Sequence, residues 1–383
     1  MTFSPKLFQN TFKNQFLEEI ARYVLGIQSF WFALPDFRLS AMTGIALLGA
    51  GRIGQVHAKA IAQSGATLVS VFDVMPQSAR AFGDKTGAQV CDSAEAAIHH
   101  PGVDGVLVAT STDTHVDLIL ASADAGKAVM CEKPIAPSLT EARRCLNALG
   151  DKADRVFIGF NRRFDPGHSK VNAAVHSGEI GTLEQLTITS RDPYPPPLEY
   201  IPVSGGLFRD MMIHDFDIAR WMLGEEIVKI SAEGNVAVDP EIGKLDDVDT
   251  AMVSMVSESG KQIIILNSRR AVYGYDQRIE AFGAEGMLIS DNPSDTSVKR
   301  FSANQFAAPD AYATFFMDRY TVSYRREIEA FVQMIQTGGK APVTAKDGFM
   351  ASYLAEAATL SSKWGRSIEL STDGMTTWSN RAS

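Results

Sequence analysis

The chain of 383 residues contains only three cysteines, Cys91, Cys131 and Cys145. Their number is odd and no two are close in sequence. They fit neither a disulfide framework nor a zinc ligand set, and a reducing compartment is the expected setting, with the cytoplasm as the location. No apolar run reaches the roughly 18–20 residues of a membrane span, so no membrane partner is expected. No block of like charge occurs either: 36 basic residues stand against 45 acidic ones, for a net charge of −9. A nucleic-acid partner would need a basic footprint, which is missing. Internal repeats and low-complexity segments are also lacking.

The first 41 residues differ from the rest. They are rich in phenylalanine and carry acidic Glu18 and Glu19 where a leader should be basic. Their most apolar stretch, Tyr23 to Leu34, is interrupted by Gly26, Gln28 and Ser29, with no twin arginine before it. This is a poor secretory signal. It reads as an N-terminal extension, residues 1–41, either an added arm or a start codon read upstream of Met42.

From Gly44 onward, short apolar runs alternate with helix-like segments: Gly44–Gly49, Thr67–Asp73, Asp104–Ala109, Ala128–Cys131 and Val156–Phe160 are the runs. Such alternation predicts parallel strands with right-handed crossovers, an α/β doubly wound domain over residues 42–160. After Asn161 the pattern changes. A Pro-rich loop (Pro193–Pro202) precedes a helix expected over Leu207–Leu223, and successive strand-like runs follow. These predict a second α/β domain, residues 161–370, with a large open, mostly antiparallel sheet. Residues 371–383 form a polar tail.

Gly49-Ala50-Gly51-Arg52-Ile53-Gly54 is G-x-G-x-x-G, and it follows a buried strand and opens a helix. That is the context in which the motif binds a dinucleotide. Gly49 permits the turn, Gly51 lets a pyrophosphate approach, Gly54 lets helix and strand pack, and the N–H groups from Arg52 and Ile53 onward meet the phosphate charge. Asp73 ends the second strand, where a carboxylate accepts hydrogen bonds from ribose hydroxyls. Val74, Met75 and Pro76 follow it with no basic residue. A carboxylate there repels a 2′-phosphate, so NAD is the expected cofactor. Asp73 capping the next helix is the structural alternative.

Loops at the carboxyl ends of parallel strands form the ligand crevice. Thr110, Ser111, Thr112 and His115 of TSTDTH follow the run Asp104–Ala109, and Glu132-Lys133-Pro134 follows the run Ala128–Cys131. All are assigned to the cofactor crevice. Lys133 beside a nicotinamide can also hold a substrate hydroxyl and stabilise charge as its proton leaves, although a lysine taken alone is more often a surface residue. In SGGLFRDMMIHDFDIARWM (Ser204–Met222), Asp210 and His214 stand four apart, on one face of the expected helix. A histidine can take a hydroxyl proton, and a carboxylate can orient it, so activity should rise as the histidine loses its own proton. The bland alternative is a helix-surface ion pair. A metal is not expected, because no second histidine or cysteine stands at ligand spacing.

GAGRIG, Asp73, TSTDTH, EKP, GFNRRFDP and the D-x-x-x-H segment together resemble the Gfo/Idh/MocA oxidoreductases, over about Met42 to Leu370. SRDPYPPP (Ser190–Pro197) and SRRAVYGYDQRIEAFG (Ser268–Gly283) resemble the branch that oxidises inositols at carbon 2. The resemblance implies a Rossmann domain followed by an open-faced α/β domain that packs into homodimers or homotetramers through its sheet. It implies NAD as cofactor and roles for Lys133 in orienting substrate and for Asp210 and His214 in accepting the proton. It implies polyol contacts from Asp192, from Tyr273 or Tyr275, and from Arg163.

On that reading the protein oxidises myo-inositol to 2-keto-myo-inositol (scyllo-inosose), a step of inositol catabolism. Two other functions are weighed against it. One is a dehydrogenase of another inositol isomer, glucose or a related sugar. The other is a sugar-sensing regulator that binds cofactor without turnover, against which the intact Lys133, Asp210 and His214 speak.

Overall fold

The computed structural model describes residues 42–376, Asp295 excepted, together with Trp378. The N-terminal extension and most of the expected tail lie outside the described residues.

Apolar runs buried on both faces must be covered by helices on both sides, and residues 44–159 are built that way. The strands are β1 (Gly44–Leu48), β2 (Thr67–Phe72), β3 (Gln89–Val90), β4 (Gly105–Val108), β5 (Ala128–Glu132) and β6 (Val156–Gly159). They lie in the order 3-2-1-4-5-6, with every pair parallel. β1, β4, β5 and β6 are buried at every position. The order reverses between β1 and β4, so a ligand crevice opens outside their carboxyl ends. The first helix, α1 (Arg52–Gln63), starts at that edge.

The second sheet contains β7 (Leu183–Arg191), β8 (Ile227–Asn235), β9 (Thr250–Ser257), β10 (Gln262–Ser268), β11 (Asp276–Gly283) and β12 (Gly286–Ser290). A separate hairpin of β13 (Lys299–Ser302) and β14 (Gln305–Pro309) follows, and β15 (Ile368–Glu369) joins the sheet edge. The sheet order is 12-11-7-10-9-8-15. β7 and β10 are parallel and the other pairs antiparallel, so the mostly antiparallel expectation holds. Ala251, Val253 and Met255 point to the core, while Met252 between them is half exposed. One face is packed and the other open, as alternating strands allow.

The helix expected over Leu207–Leu223 is two helices, α2 (Leu207–Asp210) and α3 (Ile213–Leu223). The N–H groups of Met211 and Met212 both donate to the Leu207 carbonyl, at 3.0 Å each. The i→i−4 ladder slips by one residue there and restarts. Both methionines are buried, so packing holds the break in place. Two late helices, α4 (Thr321–Thr337) and α5 (Ala345–Trp364), return toward the first sheet. α4 packs on α1, and α5 touches both β6 and β8. A capping box fixes the start of α5, Thr344 and Asp347 bonding each other's backbone N–H. Among the described residues no helix is long and apolar enough to cross a membrane.

Candidate active site

Gly49 adopts φ +99°, and a Cβ there would lie 2.4 Å from the Ala109 carbonyl oxygen. Only glycine lets the β1 and β4 ends approach so closely. Gly51 differs: a Cβ would meet nothing within 4 Å, so its backbone faces open space. Gly51 is also the N-cap of α1, and no side chain caps the helix. The first N–H groups of α1, from Arg52 and Ile53 onward, therefore lack a side-chain acceptor beside an open backbone, the arrangement a pyrophosphate fits. Gly54 is buried behind them.

Asp73 does two jobs. Its Oδ2 accepts from the Ala50 N–H at 2.7 Å, pinning the glycine-rich loop, and its Oδ1 accepts from Met75 N–H at 2.8 Å, where the next helix begins. Each oxygen keeps a second lone pair, so the helix-end bond does not exclude a ribose diol. Val74 and Met75 beside it are exposed and apolar. Ser111 and Thr112 lie at the same edge, and Thr110 donates its hydroxyl to Thr114 Oγ1 at 2.7 Å, which ties that loop to itself.

Lys133 leaves the end of β5 and crosses to α2. Its Nζ donates to the Asp210 carbonyl at 2.8 Å and lies 3.7 Å from Asp210 Oδ1. The Asp210 carboxylate also accepts from the Tyr200 hydroxyl at 3.0 Å and faces the buried Arg269 guanidinium at 3.6 Å. No hydrogen bond joins Asp210 to His214 among the described residues. The break between α2 and α3 removes the one-helix, one-face relation that the four-residue spacing predicts.

His214 packs edge-on against Phe160, with ring centroids 5.8 Å apart. Its Nδ1 is buried without a partner among the described residues, which leaves Nε2 as the nitrogen open to a ligand. Burial, then the charges of Lys133 and Arg162, push its pKa well below the ordinary histidine value. The ring is neutral at neutral pH, the form that can accept a proton. Asp192 interacts with Arg269 and Asp210, and burial is the main cause that pushes its carboxyl up to about 6. The Tyr275 ring is buried, its hydroxyl makes no hydrogen bond among the described residues, and it feels the charges of Arg162 and Asp192.

Residues 43–160 match the family described as "Oxidoreductase family, NAD-binding Rossmann fold", and residues 168–289 match the GFO/IDH/MocA C-terminal domain. The chain belongs to the Gfo/Idh/MocA family. It is 46% identical to an inositol 2-dehydrogenase of Rhizobium meliloti over 327 residues, 85% of this chain and 98% of the relative. A crystal structure of a myo-inositol dehydrogenase from Corynebacterium glutamicum is similar at 41% identity and TM-score 0.84, covering 86% of this chain and 99% of that one. A scyllo-inositol dehydrogenase from Lactobacillus casei, with bound NAD(H) and scyllo-inositol, is similar at 27% identity and TM-score 0.79, covering 86% and 99%. This member of the family is therefore an NAD-binding oxidoreductase.

Several residues lie elsewhere than the sequence suggests for a Gfo/Idh/MocA site. Arg163 is turned to Asp217, which it grips with Nε at 2.8 Å and Nη2 at 2.5 Å, and to Asp347 at 3.2 Å. Its guanidinium is consumed by structural carboxylates. Arg162 beside it points another way, because one turn of 3₁₀ helix (Asn161–Phe164) rotates neighbours by about 120°. It bonds Asp215 at 2.6 Å and faces Tyr275 and Asp192. Tyr273 is half exposed and bonds Asp276 and Arg191, in an open pocket with Arg278, Asp291 and Tyr312. None of those residues bonds Lys133, Asp210 or His214. His115 is buried with Nδ1 2.8 Å from the Pro134 carbonyl and Nε2 3.2 Å from that of Thr110, so it joins two loops. Glu132 is likewise turned inward, to His57 at 2.6 Å. The sequence reading also passed over Arg162, Arg269, Tyr200 and His57.

Proposed function

We propose that the protein is an NAD-dependent inositol 2-dehydrogenase that oxidises myo-inositol to 2-keto-myo-inositol. The observation that carries this reading is the neutral, half-buried imidazole of His214 beside the ammonium of Lys133 at the mouth of a dinucleotide crevice. When bound there, NAD supplies the acceptor for the hydride of the oxidised carbon. The protein supplies the rest. Gly49, Gly51, Gly54 and the N–H groups of Arg52 and Ile53 would hold the pyrophosphate, with Thr110, Ser111 and Thr112 at the same rim. Asp73 would hold the ribose.

His214 Nε2 accepts the hydroxyl proton. Lys133 Nζ lies against the same hydroxyl and offsets negative charge as the proton leaves. Asp210 holds Lys133 through its carbonyl and lends its carboxylate to the polyol. Asp192 and Tyr275 bind the remaining hydroxyls, with Arg162 behind them. A site with this many buried donors and acceptors rejects a substrate that lacks or inverts one hydroxyl, because the abandoned groups stay unpaired.

The open face of the second sheet exposes Phe282, Met287 and Ile289, apolar residues that suit a homodimer or homotetramer built on that face. Three unpaired thiols suit a cytoplasmic enzyme, and the reaction suits inositol catabolism. NADH formation from a panel of inositols and hexoses, each with NAD and with NADP, tests the reading. The highest kcat/KM is expected with myo-inositol and NAD. No NADH from any inositol would overturn it.

A further inference from the structure

His57 is fully buried on α1, three residues after the last glycine of the dinucleotide loop. Its Nε2 is 2.6 Å from Glu132 Oε1. The other oxygen of that carboxylate, Oε2, accepts the Lys133 N–H at 3.2 Å. Glu132 is thus clamped between the cofactor helix and the backbone of the very residue whose ammonium reaches Asp210. Two further features hold the clamp. The Tyr324 ring from α4 meets the imidazole edge-on at 5.4 Å. Gly159 on β6 leaves room for the carboxylate, since a Cβ there would lie 3.3 Å from Oε2. His57 Nδ1 has no partner. Glu132 is therefore the only hydrogen-bond partner of the ring among the described residues, and the proton on Nε2 points to it.

We infer that His57 is a positioning residue for the dehydrogenase reaction, fixing Lys133 through the Glu132 carboxylate. This rests on the reading of Lys133 given above. The physical reason is leverage. The lysine side chain is long and flexible, and its direction is set by where its main chain sits. A buried charge-assisted bond at each carboxylate oxygen removes that freedom. A misplacement of about 1 Å at a reacting group can cost about 10²-fold in rate. His57 touches neither substrate nor cofactor in this scheme; it acts through its neighbour.

A double-mutant cycle tests this in the full-length enzyme. The variants are His57→Leu, His57→Gln, Lys133→Met and the His57→Leu/Lys133→Met pair, assayed for kcat on myo-inositol with NAD and for NADH affinity by fluorescence. His57→Leu should lower kcat about 10- to 100-fold with NADH affinity nearly unchanged. His57→Gln, whose amide N–H can replace the Nε2–H, should recover most of the loss. In the Lys133→Met background, His57→Leu should cost less than about twofold, since coupled residues are not additive. If His57→Leu does not fold, His57→Asn, which is too short to reach Glu132, replaces it in the cycle. Equal losses in both backgrounds, or wild-type turnover without His57, overturn the proposal while leaving Lys133 intact. Wild-type turnover in Lys133→Met would instead overturn the reading of the site itself.

Discussion

The ammonium of Lys133 donates to the main-chain carbonyl of Asp210 across 77 residues of sequence, at 2.8 Å. The bond ties the carboxyl end of β5 to the end of α2, and so sets the lysine beside His214. Lys133→Ala should lower kcat by about 10²–10³-fold, the usual loss for one donor aimed at developing negative charge. KM for myo-inositol should rise in the same variant. Steady-state kinetics check both, and an unchanged kcat would remove Lys133 from the chemistry.

Asp73 carries two loads, and its variant should show both. Asp73→Ala should weaken NAD binding by about tenfold or more, from the lost bonds to a charged acceptor, and narrow the gap to NADP. Because Asp73 also holds Ala50 N–H, part of the loss should appear for both cofactors. Titration with NADH and NADPH separates the parts. An unchanged NADH/NADPH ratio would show that Asp73 serves the loop alone.

The acid limb of the pH profile should belong to Asp192 and not to His214. The histidine is neutral well below the ordinary value, whereas burial holds the Asp192 carboxyl up to about 6. An ionised aspartate accepts from hydroxyls at both oxygens, whereas protonation turns one oxygen into a donor and weakens the hold on the polyol. kcat/KM for myo-inositol should therefore rise with pH through about 6 and level off above it. The rise at that pH should be absent in Asp192→Asn. This places the limb elsewhere than the histidine titration that the sequence suggests. A limb that survives in Asp192→Asn would return it to another group.

Glu327 on α4 is fully buried, and neither carboxyl oxygen has a hydrogen-bond partner among the described residues. Burial, then the nearby Glu132 charge, push its pKa well above the ordinary value. The folded protein keeps a proton that the unfolded chain releases above about pH 4.3. The stability this contributes is full below that pH and is lost as pH rises toward the folded value. Glu327→Gln should therefore gain thermal stability relative to the wild type as pH rises from 5 to 8. Melting temperatures of both proteins across that range check the sign, and a constant difference would show that the carboxyl holds no extra proton.

The parallel sheet was legible because strands buried on both faces read as unbroken apolar runs, and G-x-G-x-x-G marks the first crossover. β3 escaped because two residues carry no period, and the β13–β14 hairpin because its exposed residues, Phe301 and Phe306 among them, carry no buried alternation. The Asp210–His214 spacing pointed to one helical face, but spacing cannot show a slipped ladder at Met211–Met212. Arg162 and Arg163 are equivalent in sequence, and only the rotation of a single 3₁₀ turn decides which meets Asp217 and which meets Tyr275. Tyr273 and Tyr275 were also indistinguishable in sequence: on either side of Gly274, at φ +118°, the first is half exposed and the second buried. His57 was readable in principle, since it follows Gly54 on the inward side of α1, but its partner Glu132 is 75 residues away.

The most direct test is the turnover of His214→Ala, measured together with its affinity for NADH. With myo-inositol and NAD, kcat should fall by about two to four orders of magnitude, the range for a lost general base. NADH affinity should hardly change, because the Gly49–Gly54 loop and Asp73 make no bond to the histidine. Turnover near the wild-type rate in a folded, NADH-binding variant would contradict the account and put the base elsewhere.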